Sequence, residues 1–185
     1  MSQSSLLFLF FFVTTISAVA ATPSNDLIDQ TCKKCENQSI ILNYGLCSSA
    51  LGVIPVSHAA NLQGLALIAM ELALENATTT RSTIEKLMDD ENLATSSSRA
   101  CLRDCLELYS DAAWRIMSSI GAFLSENYES TKTGMSSVME AASTCQRGFA
   151  ETGEVSPLTK ENYNLFQLCG ISLCIIQMST PVTPS

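Results

Sequence analysis

Apolar residues recur along most of this chain at steps of three and four, the signature of helices that bury one face. Beyond residue 57 the pattern divides into four long segments. In the first, Leu62, Leu65, Ala66, Ala69, Leu72 and Ala73 share a face, and Ile84 and Leu87 carry it to about Asp89. Ser57 is the N-cap this pattern predicts, with the helix beginning at His58. A polar stretch, residues 90–98, precedes a second face of Leu102, Cys105, Leu106, Tyr109, Ala112, Ala113, Ile116, Ile120 and Phe123. The short connection 125–130 leads to a third, Met135, Val138, Met139, Ala142, Cys145 and Phe149, which Gly153 helps to end. Ser156-Pro157 opens the fourth as an N-cap followed by proline at the first helical position, where a missing N–H is no loss. Phe166, Cys169, Leu173 and Ile176 form its inner stripe, and Pro181 and Pro184 close the chain.

Ahead of these segments, residues 25–50 are polar and cysteine-bearing, with apolar residues in two groups, and read as a short helical hairpin closed by cysteines. No useful run alternates with the strand period, and no internal repeat is found. The fold class is therefore all-α: an up-down-up-down four-helix bundle, about 57–180, preceded by a disulfide-closed hairpin, about 25–50.

Residues 1–20 carry no charge and hold an almost unbroken apolar run from Leu6 to Ile16, followed by Ser17-Ala18-Val19-Ala20-Ala21. That is the pattern of a secretory signal with an Ala-x-Ala cleavage site after Ala20. The apolar stretch is shorter than the roughly 20 residues of a spanning helix, and nothing later replaces it, so no membrane association is expected after cleavage. The remaining residues 21–185 are enough for one domain. All 10 Lys and Arg and all 18 Asp and Glu lie in this part, so it keeps the net charge of −8. Such a surface repels nucleic acid phosphates and polyanionic pectin alike.

All 8 cysteines follow the cleavage site, and an even number in a chain bound for an oxidising compartment argues for disulfides. Eight cysteines permit on the order of a hundred connectivities, so the count does not pair them. Asn37-Gln38-Ser39 and Asn76-Ala77-Thr78 are N-glycosylation sequons consistent with secretion. Cys32-Lys33-Lys34-Cys35 has the spacing of redox enzymes, but without the βαβ context that reading needs. The sole histidine, His58, with Cys101 and Cys105 does not complete a zinc site. Placed at a helix start, His58 also lacks the arrangement of a general base for a serine nucleophile. No glycine-rich phosphate loop occurs. Neither a metal nor another cofactor is called for, and an enzymatic function lacks its residues. The methionines Met70, Met88, Met117, Met135, Met139 and Met178, at helical spacing, read as core filler.

The stretch Asp104-Cys105-Leu106-Glu107-Leu108-Tyr109-Ser110-Asp111-Ala112 resembles the Cys-x-x-x-Tyr-x-x-Ala signature of plant invertase and pectin methylesterase inhibitors. Other pieces match in order. Thr31-Cys32 with Asn43-Tyr44-Gly45-Leu46-Cys47 is similar to that family's amino-terminal cysteine hairpin, and the segment from Pro55 to Leu65 to its first bundle helix. Thr144-Cys145-Gln146-Arg147-Gly148-Phe149 resembles its second half-cystine. Tyr44, Ser57-His58, Leu62-Gln63-Gly64-Leu65 and the segment from Val155 to Asn162 are especially similar to the plane-tree pollen allergen branch.

The resemblance implies a helical hairpin before a four-helix bundle and the bridges Cys32–Cys47 and Cys105–Cys145. Cys35, Cys101, Cys169 and Cys174 depart from the usual four-cysteine pattern; Cys35 is within reach of Cys169 or Cys174, and Cys101 has no obvious partner. Asn61 stands where relatives often carry aspartate, which removes a helix-start charge and points to a weaker cap. The Pro-Lys-Phe motif of cell-wall invertase inhibitors is replaced by Asn127-Tyr128-Glu129-Ser130-Thr131-Lys132, so the target stays open between pectin methylesterase and invertase. The function implied is that of a secreted inhibitor in the apoplast or cell wall, blocking its target's active-site cleft without covalent chemistry. Asn127, Tyr128, Glu129 and Lys132 are the expected contact residues, Tyr128 having the amphipathic character enriched at binding hot spots. A non-inhibitory secreted helical binder, or an allergen-like protein, is the alternative from another class.

Overall fold

The computed structural model describes residues 26–90 and 96–180. Residues 1–20, expected to be a secretory signal, and Pro181 and Pro184 lie outside the described residues. Two short helices, α1 (Leu27–Gln38) and α2 (Tyr44–Gly52), are followed by a 3-10 turn, Pro55–Ala59. Four long helices come next: α3 (Leu62–Asp89), α4 (Ser96–Leu124), α5 (Tyr128–Glu151) and α6 (Thr159–Ser179). No strand occurs among the described residues. Each long helix packs against two neighbours, α3 on α4, α4 on α5, α5 on α6 and α6 back on α3, the order of an up-down-up-down bundle. Its centre is filled by Leu65, Met70, Ile84, Leu102, Tyr109, Ile116, Met135, Phe149, Leu165 and Ile171.

Local capping fixes most of the boundaries. Asp26 accepts from Ile28 N to start α1, and Asn43 accepts from Leu46 N to start α2. The first bundle helix does not begin at His58. Pro55 opens a 3-10 turn that holds Ser57 and His58, and the chain runs extended through Ala60 to Asn61, the residue that caps α3. Asn61 Oδ1 accepts from Gly64 N at 2.9 Å, so the cap that the missing aspartate seemed to weaken is made by the amide instead. His58 accordingly sits at no helix N-terminus. Its Nδ1 faces Asp26 Oδ2 at 3.2 Å and its Nε2 faces the Gly52 carbonyl at 3.0 Å. A neutral ring can donate to one of these acceptors and a protonated ring to both.

Other boundaries shift by a turn or less. α4 is already helical at Ser96, inside the polar stretch, because polar residues on an exposed face do not interrupt a helix whose other face is buried. The fourth helix starts at Thr159, not at Pro157, although Ser156 Oγ still accepts from Leu158 N at 3.1 Å. Gly153, at φ 71°, ends α5, with Glu154 N donating to Phe149 O as in a Schellman motif. Met117 is exposed and is not core filler.

The stripe expected on α6 differs most. Phe166 and Leu173 are only half-buried, while Leu165, Leu168, Ile171, Cys174, Ile175 and Ile176 are buried nearly all round the helix. The reason is that α1 and α2 dock on the side that α3 and α5 leave open. Gln167 grips the hairpin loop from within this contact: its Oε1 accepts from Asn43 N at 2.8 Å and its Nε2 donates to Ile41 O at 2.7 Å. Cys35 is bonded to Cys174, which ties α1 to the end of α6, and Cys32 to Cys47, which closes the hairpin on itself. Constraining loops of 15 and 139 residues, these bridges are worth roughly 3 and 5 kcal/mol in chain entropy.

A polar tie supports the same hairpin: Tyr44 Oη donates to Asp29 Oδ1 at 2.7 Å and Lys33 Nζ to Asp29 Oδ2 at 2.9 Å. The Lys33 ammonium, and then the Tyr44 hydroxyl, hold the Asp29 carboxyl below its ordinary value of 3.8. A depressed carboxyl stabilises the fold above the ordinary value and loses that contribution as the pH falls through the depressed one. The tie therefore persists in mildly acidic surroundings.

Candidate functional site

The corner between α4 and α5 is built by two caps in succession. As α4 ends, Asn127 N donates to Ala122 O at 2.8 Å and Glu126 N to Phe123 O at 3.0 Å, with Glu126 left-handed at φ 60° between them. Asn127 then caps α5, its Oδ1 accepting from Ser130 N at 3.2 Å. Thr131 is fully buried and donates from Oγ1 to Asn127 O at 2.9 Å, which fixes the corner from below. Behind it the two helices come close: a Cβ at Gly134 would lie 2.1 Å from Ser119 Oγ.

On this frame Tyr128 is half-buried, its ring edge-on to Phe123 with centroids 5.8 Å apart. It forms one wall of a shallow groove of about 230 Å³ whose other walls are Phe123, Leu124, Glu126, Gln63, Gly64 and Leu67. Glu129 is largely exposed and ion-paired with Lys132, and such an exposed pair is worth little to stability. The corner thus brings Asn127, Tyr128, Glu129 and Lys132 together on a few residues of rigid backbone. Asn127 is committed to the cap, Tyr128 is divided between the core and the groove, and Glu129 and Lys132 face outward. Chemically the corner offers an aromatic ring with a polar tip, an exposed apolar Leu124 and a charge pair. No group of three His, Cys, Asp or Glu side chains that could hold a metal occurs among the described residues.

The other residues singled out above lie elsewhere. Cys105 on α4 is bonded to Cys145 on α5. Cys101, one turn from Cys105, is a free buried thiol whose Sγ lies 3.5 Å from Gly148 O and from Thr152 Oγ1. Cys169 is also free and buried, and burial pushes its thiol far up, so neither redox pairing nor reactivity is supported there. Asn37 is exposed at the end of α1, and Asn76 is half-buried within α3.

One cluster escaped the sequence reading. Tyr109 Oη donates to Asn162 Oδ1 at 2.8 Å, Asn162 Nδ2 to Gln146 Oε1 at 2.9 Å, and Gln146 Nε2 to Thr159 Oγ1 at 3.3 Å. This chain, buried at Tyr109 and Asn162 and reaching the surface at Thr159, links α4, α6 and α5 beside the Cys105–Cys145 bridge. Burial, and then the Glu161 carboxylate, push the Tyr109 phenol far up, so it stays a donor. The available signal was Tyr109 itself, a tyrosine on an otherwise apolar face, which when buried needs a partner.

Comparison with known proteins follows the same lines. A family model described as Plant invertase/pectin methylesterase inhibitor matches residues 26–175. A "Putative invertase inhibitor" of Platanus acerifolia is 36% identical over 169 residues, 91% of this chain and 93% of that protein. A pectinesterase inhibitor of Actinidia deliciosa is 28% identical over 174 residues, 92% of this chain and 89% of the relative. Among solved structures, a mutant form of a pectin methylesterase inhibitor from Arabidopsis superposes with a TM-score of 0.66 at 23% identity, covering 77% of this chain and 96% of that one. The last shows a shared fold.

Proposed function

Because the chain belongs to the plant invertase/pectin methylesterase inhibitor family, a family of protein inhibitors and not of catalysts, we propose that it is a secreted, stoichiometric inhibitor of pectin methylesterase or invertase. It blocks the active-site cleft by docking and forms no covalent bond. The observation that carries this reading is the family match over nearly all of the bundle and hairpin. The geometry supports it: a bridged, capped bundle presents a preorganised surface, and little ordering cost is left for binding. An interface of roughly 1,200–2,000 Å² would suffice, with rim charges such as Glu129 and Lys132 acting mainly on encounter rate.

The place of action we infer is the apoplast or cell wall. The charge-free leader and the even set of cysteines support this, and no helix among the described residues is long and apolar enough to cross a membrane. Relatives are named for both targets, and the Asn127-Tyr128 corner carries no Pro-Lys-Phe motif, so both enzymes belong in the test. Purified protein is titrated separately against a pectin methylesterase and an invertase from mildly acidic to neutral pH. Saturating loss of activity at equimolar inhibitor is expected with one of them. Full activity of both throughout that range sinks the inhibitor reading in favour of a non-inhibitory binder.

A further inference from the structure

The two sequons sit in unlike surroundings. Asn37 is exposed in the last turn of α1, and Ser39, its sequon hydroxyl, is already extended at φ −149° and ψ 113° as the chain leaves the helix. The next residues, Ile40 and Ile41, are exposed, Ile40 to 99%. Asn76 lies in the interior of the 28-residue α3, at the groove against Lys160, Glu161, Asn164 and Leu168. Its amide Oδ1 is closed to solvent and has no hydrogen-bond partner among the described residues. The hydroxyl of its sequon is turned back on the helix, Thr78 Oγ1 donating to Leu74 O at 2.9 Å and Glu75 O at 3.0 Å.

We infer that Asn37, and not Asn76, carries an N-linked oligosaccharide in the secreted protein, an inference that rests on the secretion reading above. Transfer joins Asn37 Nδ2 to C1 of the first sugar of a lipid diphosphate-linked oligosaccharide. The bond from C1 to phosphate oxygen breaks, the diphosphate leaves with its electron pair, and the amide gives up one proton to the transferase's base. The donor meets the chain before folding is complete, so the structure acts by selecting which product can fold. An oligosaccharide on Asn37 points into solvent at the end of a helix and disturbs no packed face. On Asn76 it would have to lift the amide out of the contact between α3 and α6. The Asn37 glycan also stands beside Ile40 and Ile41, an exposed apolar pair, and screens it from other chains.

The full chain is expressed in a secreting plant host and collected from the medium. Its peptides are then mapped after enzymatic release of N-glycans, which leaves aspartate wherever an asparagine was occupied. Conversion at Asn37 and none at Asn76 is expected. Secreted Asn37→Gln should lose the whole electrophoretic shift, and Asn76→Gln should keep it. Occupancy of Asn76, or a secreted wild-type chain bare at Asn37, overturns the inference and leaves secretion standing. A chain retained inside the cell overturns the secretion reading, and this inference with it.

Discussion

Glu126 holds a left-handed backbone at φ 60° where the chain leaves α4, a conformation that costs a residue with a Cβ roughly 1–2 kcal/mol. Glycine is the residue that Schellman motifs prefer there, and Gly153 fills the equivalent place after α5. Glu126→Gly should therefore raise Tm by roughly 2–4 °C, for a gain of about 1 kcal/mol. A thermal melt checks this, and an unchanged or lower Tm would mean the Glu126 side chain contributes more than its backbone costs. At Tyr109 the sign reverses. Tyr109→Phe keeps the ring but leaves Asn162 Oδ1 buried without its donor, a loss of about 1–3 kcal/mol. Urea unfolding with wild-type stability would show that the chain through Asn162 and Gln146 does not hold the three helices together.

Among the elements, α6 is buried nearly all round, and its glycine shows how closely. A Cβ at Gly170 would lie 2.5 Å from Leu42 Cδ2, so the hairpin loop rests on bare backbone. Gly170→Val should push that loop away at a cost of about 1–3 kcal/mol. With the Cys35–Cys174 bridge intact the hairpin would stay tethered but loosen. Faster amide exchange confined to α1 and α2 is the expected readout; uniform protection would place the hairpin's anchorage in the bridge and Gln167 alone. The periodicity of α6 did not foretell this, because a stripe calculation assumes one covered face. The spacing of its cysteines, read after docking, is more telling. Five residues apart, Cys169 and Cys174 point about 140° from one another, so only one can face α1. Cys174 does, and Cys169 turns into the bundle.

For the whole molecule, the proposed inhibition would be an encounter between rigid surfaces, and the α4–α5 corner is where it is tested. Tyr128 is held by Phe123 on one side and borders the groove on the other. Replacing Tyr128 and Glu129 together by alanine should raise the inhibition constant at least about tenfold, a loss of about 1.4 kcal/mol. Helical content should stay near that of the wild type. Unchanged inhibition by the folded variant would move the interface to another face, while a large drop in melting temperature would assign Tyr128 to the core.

By itself the sequence determined the helices, the bundle order and several of their ends. It could do so because a 3.6-residue repeat, and glycine at the end of α5, act within a turn or two of chain. Tertiary structure decided what depends on distant segments meeting. It buried α6 all round and chose Cys174 for Cys35. It moved the first bundle helix from His58 to Leu62, leaving His58 between Asp26 and Gly52, and it joined Tyr109 to Asn162 across 53 residues. It also divided Tyr128 between core and groove. Each of these is a contact between elements, and a local pattern records which face is apolar but not what comes to cover it.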